Sequence, residues 1–193
     1  MSETGSMVDH AGMPASRHGP LDGLSLPGQT DFSVSRAVHA ARFILRGESI
    51  HVSAFGPEVP DRLRASTAGS RAALWLGPDE FLLLAPGEDA EAISNTLKPS
   101  LPAASTALVD VSHRQIGLTL EGRLAARCLS AGCPLDLGLA SFPIGMATRT
   151  IYLKSEIVLW RQADARFHVE VWRSFAPYLV GHLADALRST NGL

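Results

Sequence analysis

An α+β fold built on antiparallel sheets is predicted by two observations in this sequence of 193 residues. First, residues 72–97 and residues 157–187 share one pattern, in which a strand, a tight connection, a second strand and a helix follow one another. Each copy has a tryptophan near the end of its first strand, Trp75 or Trp160. Second, the strands are joined by turns too short for a parallel crossover. We therefore predict two related strand–strand–helix modules, whose antiparallel sheets carry helices packed on one side.

Composition places the chain among ordinary globular proteins. Hydrophobic residues make up 46% of it and the formal net charge is −2, so a real core is expected in one domain or in two small lobes. The 17 lysines and arginines are scattered, which gives no basic patch for nucleic acid. The polar N-terminus lacks the basic and apolar regions of a signal peptide, and no apolar run approaches the ~20 residues of a membrane helix. We expect a cytoplasmic protein with no membrane contact.

Residues 1–31 are predicted to form an extended N-terminal arm. They are rich in Gly, Ser, Pro and Met and poor in β-branched and aromatic residues, so they cannot bury enough apolar surface to fold alone. The segment L-D-G-L-S-L-P nevertheless places Leu21, Leu24 and Leu26 in this polar context, and we expect these leucines to dock on a partner. The globular domain is predicted over the remaining residues, either whole or as two lobes: 32–193, or about 32–104 and 105–193.

The first half of the domain contains three predicted strands and a helix. R-F-I-L-R at residues 42–46 is a strand that Gly47 ends. Residues 72–76 and 80–85 are strands joined by the turn G-P-D, in which proline fixes φ and aspartate bonds its own backbone. Residues 88–97 have apolar positions at helical spacing. The last three elements form the first of the two modules.

The segment V-D-V-S-H-R-Q-I-G-L-T-L-E-G at residues 109–122 combines an acid, a hydroxyl and an imidazole with alternating apolar residues. The alternation predicts one extended strand. Because neighbouring side chains of a strand point to opposite faces, Ser112 and His113 cannot meet as a nucleophilic pair. We therefore expect no catalytic residue here and interpret Asp110 and His113 as polar groups at a strand end. The alternative is that Asp110 and His113 line a cavity shared with a neighbouring subunit.

A helix at residues 124–129 follows, and Gly132 is interpreted as its C-terminal cap because glycine adopts the left-handed conformation freely. Residues 133–145 form an apolar loop that we expect to pack against the domain. Cys128 and Cys133 are not spaced as a C-x-x-C pair, and the seven histidines form no H-x-x-x-H or H-E-x-x-H motif. The cysteines are therefore predicted to be buried reduced thiols, and no metal site is predicted.

The last third is predicted to contain three strands and a long helix that begins after Ser174; the strands are residues 148–153, 157–160 and 167–172. In F-H-V-E-V-W, at the third of these strands, apolar and polar residues alternate. We expect the face with His168, Glu170 and Trp172 to be exposed. Trp172 is then the best candidate for a partner interface.

The chain lacks the sequence signatures of cofactor sites. It contains no G-x-G-x-x-G that opens a helix, no G-x-x-x-x-G-K and no G-x-S-x-G. Its sequence also brings no acid, base and nucleophile together. A chain of this size without such features is more consistent with a binding or assembly element than with a free-standing enzyme.

Several separated stretches resemble the gamma subunit of heterotetrameric sarcosine oxidase, in the same order along the chain: A-L-W-L-G-P-D-E-F-L-L-L, D-V-S-H-R, C-P-L-D-L, F-P-I-G, L-W-R and W-R-S-F-A-P-Y-L. The resemblance covers roughly residues 42–187. Residues 109–137 are also similar to the opening of the aminomethyltransferase family. This second resemblance implies a folate-binding aminomethyltransferase-like fold, but it transfers no folate site to this chain.

The first resemblance implies a complex of alpha, beta, gamma and delta subunits that oxidatively demethylates sarcosine to glycine, produces hydrogen peroxide and passes the one-carbon unit to tetrahydrofolate. It implies FAD, FMN, NAD and tetrahydrofolate in the alpha and beta subunits and zinc in the delta subunit. This chain is then a non-catalytic subunit without a cofactor or metal of its own. Two alternatives stay open: a free-standing folate-dependent aminomethyltransferase-like protein, or the same subunit role in an oxidase of another N-methyl amino acid.

Overall fold

The computed structural model describes residues 19–86 and 90–190, which contain eleven strands and three α-helices. The strands, in chain order, are β1 (Gly28–Gln29), β2 (Phe32–Arg36), β3 (His39–Arg46), β4 (Ala65–Ala68), β5 (Arg71–Gly77), β6 (Glu80–Pro86), β7 (Ala107–Asp110), β8 (Gln115–Glu121), β9 (Ala147–Tyr152), β10 (Ser155–Ala163) and β11 (Arg166–Trp172). The α-helices are α1 (Ala90–Leu97), α2 (Ala125–Ser130) and α3 (Ala176–Thr190), and short 3₁₀-helices lie at Ser49–Phe55, Lys98–Ser100 and Arg173–Phe175. None of the helices in this part of the chain is both long and apolar enough to cross a membrane.

The strands form two antiparallel sheets. The six-stranded sheet has the spatial order β1-β2-β8-β11-β10-β9, and the five-stranded sheet has the order β4-β5-β6-β3-β7. Every pair of neighbouring strands is antiparallel. The predicted α+β class with antiparallel sheets is therefore confirmed.

The two sheets pack face to face, and helices cover their outer faces. An apolar layer lies between them, with Ile44 and Leu84 from the five-stranded sheet and Val158 and Trp160 from the six-stranded sheet. The outer face of the six-stranded sheet packs against α2 and α3, and that of the five-stranded sheet packs against α1 and the 3₁₀-helix Ser49–Phe55. Each sheet thus has helices on one side, as predicted, and its central strands are buried on both faces.

Each sheet contains one of the two predicted modules. The hairpin of β5 and β6 precedes α1, and the hairpin of β10 and β11 precedes α3. The duplication extends further than the sequence predicted. β3 pairs with β6 as β8 pairs with β11, and β4 pairs with β5 as β9 pairs with β10. Each module therefore has four strands in the same arrangement.

Beside the four strands of its own module, each sheet contains a strand from the other half of the chain. β2 precedes the first module but pairs with β8 of the second, and β7 precedes the second module but pairs with β3 of the first. The modules are interleaved, so the predicted lobes at 32–104 and 105–193 do not form. A division at residue 104 would separate β2 and β7 from the sheets that they complete.

The part of the predicted arm that the structure describes is packed on the domain. Leu21 is only 4% exposed and belongs to the cluster beneath the six-stranded sheet, where Leu26 packs as well. The backbone N–H of Val34 donates to the carbonyl of Pro27, and β1 pairs with β2. The domain therefore begins at least ten residues before the predicted boundary at residue 31, because these leucines have apolar neighbours in their own chain. Residues 1–18 of the arm lie outside the described residues.

The prediction of one continuous strand at residues 109–122 is wrong, because a turn interrupts it. β7 and β8 belong to different sheets, and the chain turns between them at Ser112, His113 and Arg114. The Asp110 carboxylate accepts a hydrogen bond from the backbone N–H of Ser112 at 2.8 Å, which is the geometry of an Asx turn. The apolar alternation concealed this turn because it resumes on the far side in a second strand.

The predicted left-handed cap at Gly132 is wrong, because its φ is not positive. The position requires glycine for a different reason, which is close packing. A Cβ atom at Gly132 would lie 2.8 Å from the Tyr152 ring and 2.9 Å from the Leu153 side chain. The glycine therefore allows the end of α2 to approach the turn between β9 and β10. In the apolar loop after it, Leu137 and Phe142 are buried as predicted, whereas Leu139 and Ile144 are exposed. Both cysteines are buried with free thiols.

Candidate functional site

A buried cluster of charged residues lies between the two sheets. The Arg42 Nε atom on β3 lies 2.6 Å from Glu170 Oε2 on β11, and His168 Nε2 lies 2.8 Å from Glu170 Oε1. All three side chains are buried, and Glu170 is completely inaccessible. The predicted exposure of His168 and Glu170 is therefore wrong. The polar face of β11 packs against the five-stranded sheet instead of facing solvent.

The Glu170 carboxyl is held in its ionised form. Burial acts to raise its pKa, but the hydrogen bond and charge of His168 and the charge and hydrogen bond of Arg42 outweigh burial and keep the pKa below its usual range. The cluster thus joins one strand of each sheet through a buried charge pair. Because both ions have lost their hydration, such a pair adds little net stability, whereas removal of one partner alone is costly.

His39, at the start of β3, completes the cluster. Its ring contacts that of His168 edge to face, with 5.2 Å between the ring centroids. Burial first, and then the neighbouring charges of His168 and Arg42, lower the pKa of His39 to about 4, although Glu170 acts in the other direction. Its Nδ1 atom is buried and has no hydrogen-bond partner among the described residues. His39 is therefore neutral at pH 7.

Gly117 on β8 makes room for the charge pair. A Cβ atom at Gly117 would lie 2.6 Å from Glu170 Oε1, 2.8 Å from Arg42 Nη2 and 2.9 Å from Ala37 Cβ. The register places Gly117 directly opposite Glu170 on the neighbouring strand. Any larger residue at this position would displace the carboxylate from its partners.

At the end away from the buried cluster, the space between the sheets opens as a groove of about 380 Å³. Its walls are supplied by strands of both sheets and by the turn after β7: Ile44, Arg46, Glu80, Val109, Val111, Arg114, Arg149, Glu156 and Trp172. Glu80 accepts from Arg46 at 3.0 Å and from Arg149 at 2.6 Å, and Arg149 lies 3.8 Å from Glu156. The groove is therefore lined by ion pairs beside apolar residues, with no histidine among its lining residues in the described part of the chain.

An aromatic surface borders this groove. Trp172 is 41% exposed, and Phe175 and Val109 are exposed as well. The guanidinium carbon of Arg114 lies 5.1 Å from the centre of the Trp172 ring, which is a cation–π contact. A smaller depression, lined by Lys154, Glu156, Trp172 and Phe175, continues the groove across the ring. This arrangement of exposed apolar side chains beside charged groups can bind a partner.

The other sequence-predicted site residues lie apart from one another. Asp110 ends β7 and His113 lies in the turn that follows; both are exposed, and neither lines the groove. Leu21 is buried in its own domain, Leu26 is partly buried, and Leu24 is 39% exposed. Of the residues suggested for an interface, Trp172 and Leu24 therefore present the most surface.

Sequence reasoning missed the buried cluster because it treated alternation in β11 as a division between core and solvent. In a fold with helix, sheet, sheet and helix layers, both faces of a central strand are buried. One signal was available. Arg42 precedes the apolar run F-I-L, and an arginine that is buried beside such a run needs an acidic partner.

Within residues 19–86 and 90–190, no group of three or more His, Cys, Asp and Glu side chains could hold a metal ion. The buried cluster presents Arg42 as well as its two histidines, and a cation would have to displace that guanidinium from Glu170. The described residues therefore offer no donor set that fits a metal.

The comparisons with known proteins agree with one another. The model of the sarcosine oxidase, gamma subunit family matches residues 37–189. The sarcosine oxidase subunit gamma of Corynebacterium sp. (strain U-96) is 35% identical over 123 residues, which cover 64% of this chain and 59% of that protein. The subunit gamma from an Arthrobacter species is 30% identical over 143 residues, 73% of this chain and 70% of that protein. The chain thus matches less than two thirds of the Corynebacterium protein.

Two solved structures extend the comparison to the fold. A chain of the heterotetrameric sarcosine oxidase from Corynebacterium sp. U-96, in complex with pyrrole 2-carboxylate, superposes with a TM-score of 0.79 at 28% identity, over 90% of this chain and 95% of that chain. The glycine cleavage system aminomethyltransferase T from Bartonella henselae has a TM-score of 0.61 at 13% identity, over 79% of this chain and 45% of that chain. The second likeness concerns the fold alone.

Proposed function

The chain belongs to the sarcosine oxidase gamma subunit family, and on this basis we propose that it is a non-catalytic subunit that stabilises a heterotetrameric sarcosine oxidase. The family match over residues 37–189 carries the proposal, since that range includes most of both sheets and nearly all of the three α-helices. The likeness to a chain of the solved heterotetrameric enzyme supports it.

The positions of the titratable groups support a non-catalytic role. A general acid or base must come within hydrogen-bond reach of a substrate proton. His39, His168 and Glu170 are enclosed between the sheets, and Glu170 is engaged by Arg42. The carboxylate of Glu80, in the groove, is occupied by two arginines. A substrate that entered the groove would therefore meet Glu80 with its carboxylate already paired, and Glu156 with a carboxylate 3.8 Å from Arg149 and no histidine beside it among the described lining residues.

In the proposed complex, the alpha, beta and delta subunits carry the chemistry. They would bind FAD, FMN, NAD, tetrahydrofolate and zinc, convert sarcosine to glycine with release of hydrogen peroxide, and transfer the one-carbon unit to tetrahydrofolate. This chain would bind none of these groups and would hold the others in their assembled arrangement. We place the assembly in the cytoplasm.

The test is to purify the chain alone and together with the co-expressed subunits. The proposal predicts that the isolated chain has no flavin absorbance and no sarcosine turnover, and that it co-purifies with the other subunits as one active complex. A yellow, active isolated chain would refute the non-catalytic role. A monomer that binds tetrahydrofolate and ignores the other subunits would instead identify a free-standing aminomethyltransferase-like protein. Faster turnover of dimethylglycine than of sarcosine by the complex would change the substrate but keep the subunit role.

A further inference from the structure

We infer that the aromatic surface beside the groove is where this chain holds a partner subunit, and that the bound partner segment carries a carboxylate next to apolar side chains. We define the Trp172 surface as Val109, Arg114, Trp172 and Phe175. The inference rests on the proposed function, because it names the surface through which the proposed subunit joins its complex.

The charges of the groove select an acidic partner. Three arginines and two glutamates line it. Arg46 and Arg149 are already occupied by Glu80, and Arg149 also approaches Glu156. Arg114 forms no ion pair anywhere in the described part of the chain, and its guanidinium lies over the Trp172 ring. It therefore presents an unneutralised cation, stacked beside an exposed aromatic ring, to a carboxylate that arrives from outside.

The apolar residues of the Trp172 surface explain why the partner is a protein segment and not a small anion. Trp172, Phe175 and Val109 expose large side chains within one continuous pair of depressions. Tryptophan and arginine are the residues that most often dominate binding energy at protein interfaces, where charged residues surround an aromatic centre. Lys154, Glu156 and Arg149 supply such a charged rim.

The experiment uses the full chain and compares four forms: wild type, Arg114→Glu, Trp172→Ala and the control Arg127→Glu. Arg127 is an exposed arginine on α2, so the control makes the same charge change on the helix-covered side of the six-stranded sheet. Each form is titrated against the other subunits of the complex, purified together. Both test variants are expected to raise the Kd at least about tenfold, and the control less than about twofold. Unchanged melting temperatures show that the variants fold.

Each other outcome overturns the inference in a recognisable way. If wild type binds and the two test variants bind equally well, the Trp172 surface is not the interface but the proposed function stands. If wild type itself does not bind the other subunits, the proposed function fails and the inference fails with it. If Arg114→Glu instead converts a dimer of the isolated chain into a monomer, the occupant is a second copy. If the variants lose their effect in a chain without residues 1–18, the occupant is that segment.

Discussion

Glu170 links the two sheets through a buried ion pair. Its carboxylate holds the Arg42 guanidinium at 2.6 Å and the His168 ring at 2.8 Å, with no access to water. Replacing one member of a buried charge pair leaves the other charge without a partner, at a cost far larger than the net value of the pair. Replacing Glu170 or Arg42 alone should therefore lower the free energy of unfolding much more than replacing both together.

Glu170→Gln is expected to lower the free energy of unfolding by about 3–5 kcal/mol, because the Arg42 charge remains buried without its counter-ion. The double variant Arg42→Met with Glu170→Leu should recover much of this loss, since it removes both charges together. Urea denaturation of the three proteins, followed by circular dichroism, measures the difference. A single variant that costs less than about 1 kcal/mol would mean that water reaches the pair.

His39 makes the stability of the protein dependent on pH. Its pKa is about 4 in the folded chain and 6.5 in the unfolded chain, so between these values the unfolded chain binds the extra proton. Stability is therefore full above pH 6.5 and falls as the pH falls toward 4. From pH 7.5 to pH 5 the expected loss from this residue is about 2 kcal/mol.

His39→Phe keeps an aromatic ring at this position but removes the titrating imidazole. The free energy of unfolding of this variant, measured by urea denaturation, should therefore lack the loss of about 2 kcal/mol between pH 7.5 and pH 5. The groups that face His39 are His168, Glu170 and Arg42, and all three are retained in the variant. Equal pH profiles for wild type and His39→Phe would show that another residue takes up the proton.

His113 offers a test of the alternative reading of the turn after β7. The residue is exposed and lies outside the groove. His113→Ala should leave sarcosine turnover by the assembled complex within about threefold of wild type, whereas a general acid or base typically contributes ~10²–10⁴-fold. A loss of that size in a stable, assembled complex would make this turn part of a cavity shared with a neighbour.

At the scale of single elements, periodicity predicted which segments form strands and helices, because most of them have one strongly apolar face. Five predicted strands lie wholly within strands of the structure: residues 42–46, 72–76, 80–85, 157–160 and 167–172. Periodicity failed where two elements of the same period follow each other. The turn between β7 and β8 is held by a few local contacts, among them the Asp110 carboxylate, which accepts from the backbone N–H of Ser112, and backbone hydrogen bonds to the Val111 carbonyl. Alternation of apolar residues carries no signal for such a contact.

Two glycines, one just after α2 and one inside α3, can be tested as a matched pair. Gly132→Ala should destabilise the protein by about 1–3 kcal/mol, because its methyl group would overlap the Tyr152 ring and the Leu153 side chain. Gly181→Ala, in the middle of α3, meets nothing within 4 Å and is exposed. That change should stabilise the protein by about 0.5–1 kcal/mol, since alanine is the better helix former. Thermal denaturation that ranks the two variants in the opposite order would contradict the packing argument.

At the scale of the whole molecule, the interleaving of the modules could not be read from the sequence. A strand predicted from its own residues does not reveal which sheet it joins, and β2 and β7 each join the sheet of the other module. The exposure of β11 was misjudged for the same reason, because its second face is covered only when the five-stranded sheet packs on it. Pairings between distant segments decide both features, and local pattern does not encode them.

The N-terminal segment contributes to the stability of the whole domain through the burial of Leu21. Leu21 lies in the cluster beneath the six-stranded sheet, three residues before Leu24, which is 39% exposed. Leu21→Ala should therefore lower the free energy of unfolding by about 2–5 kcal/mol through lost burial and a cavity. Leu24→Ala, the same change on the same segment, should cost less than about 0.5 kcal/mol. Urea denaturation of the isolated chain separates the two. If Leu21→Ala is as mild as Leu24→Ala in the isolated chain but weakens binding to the other subunits, Leu21 docks on a partner after all.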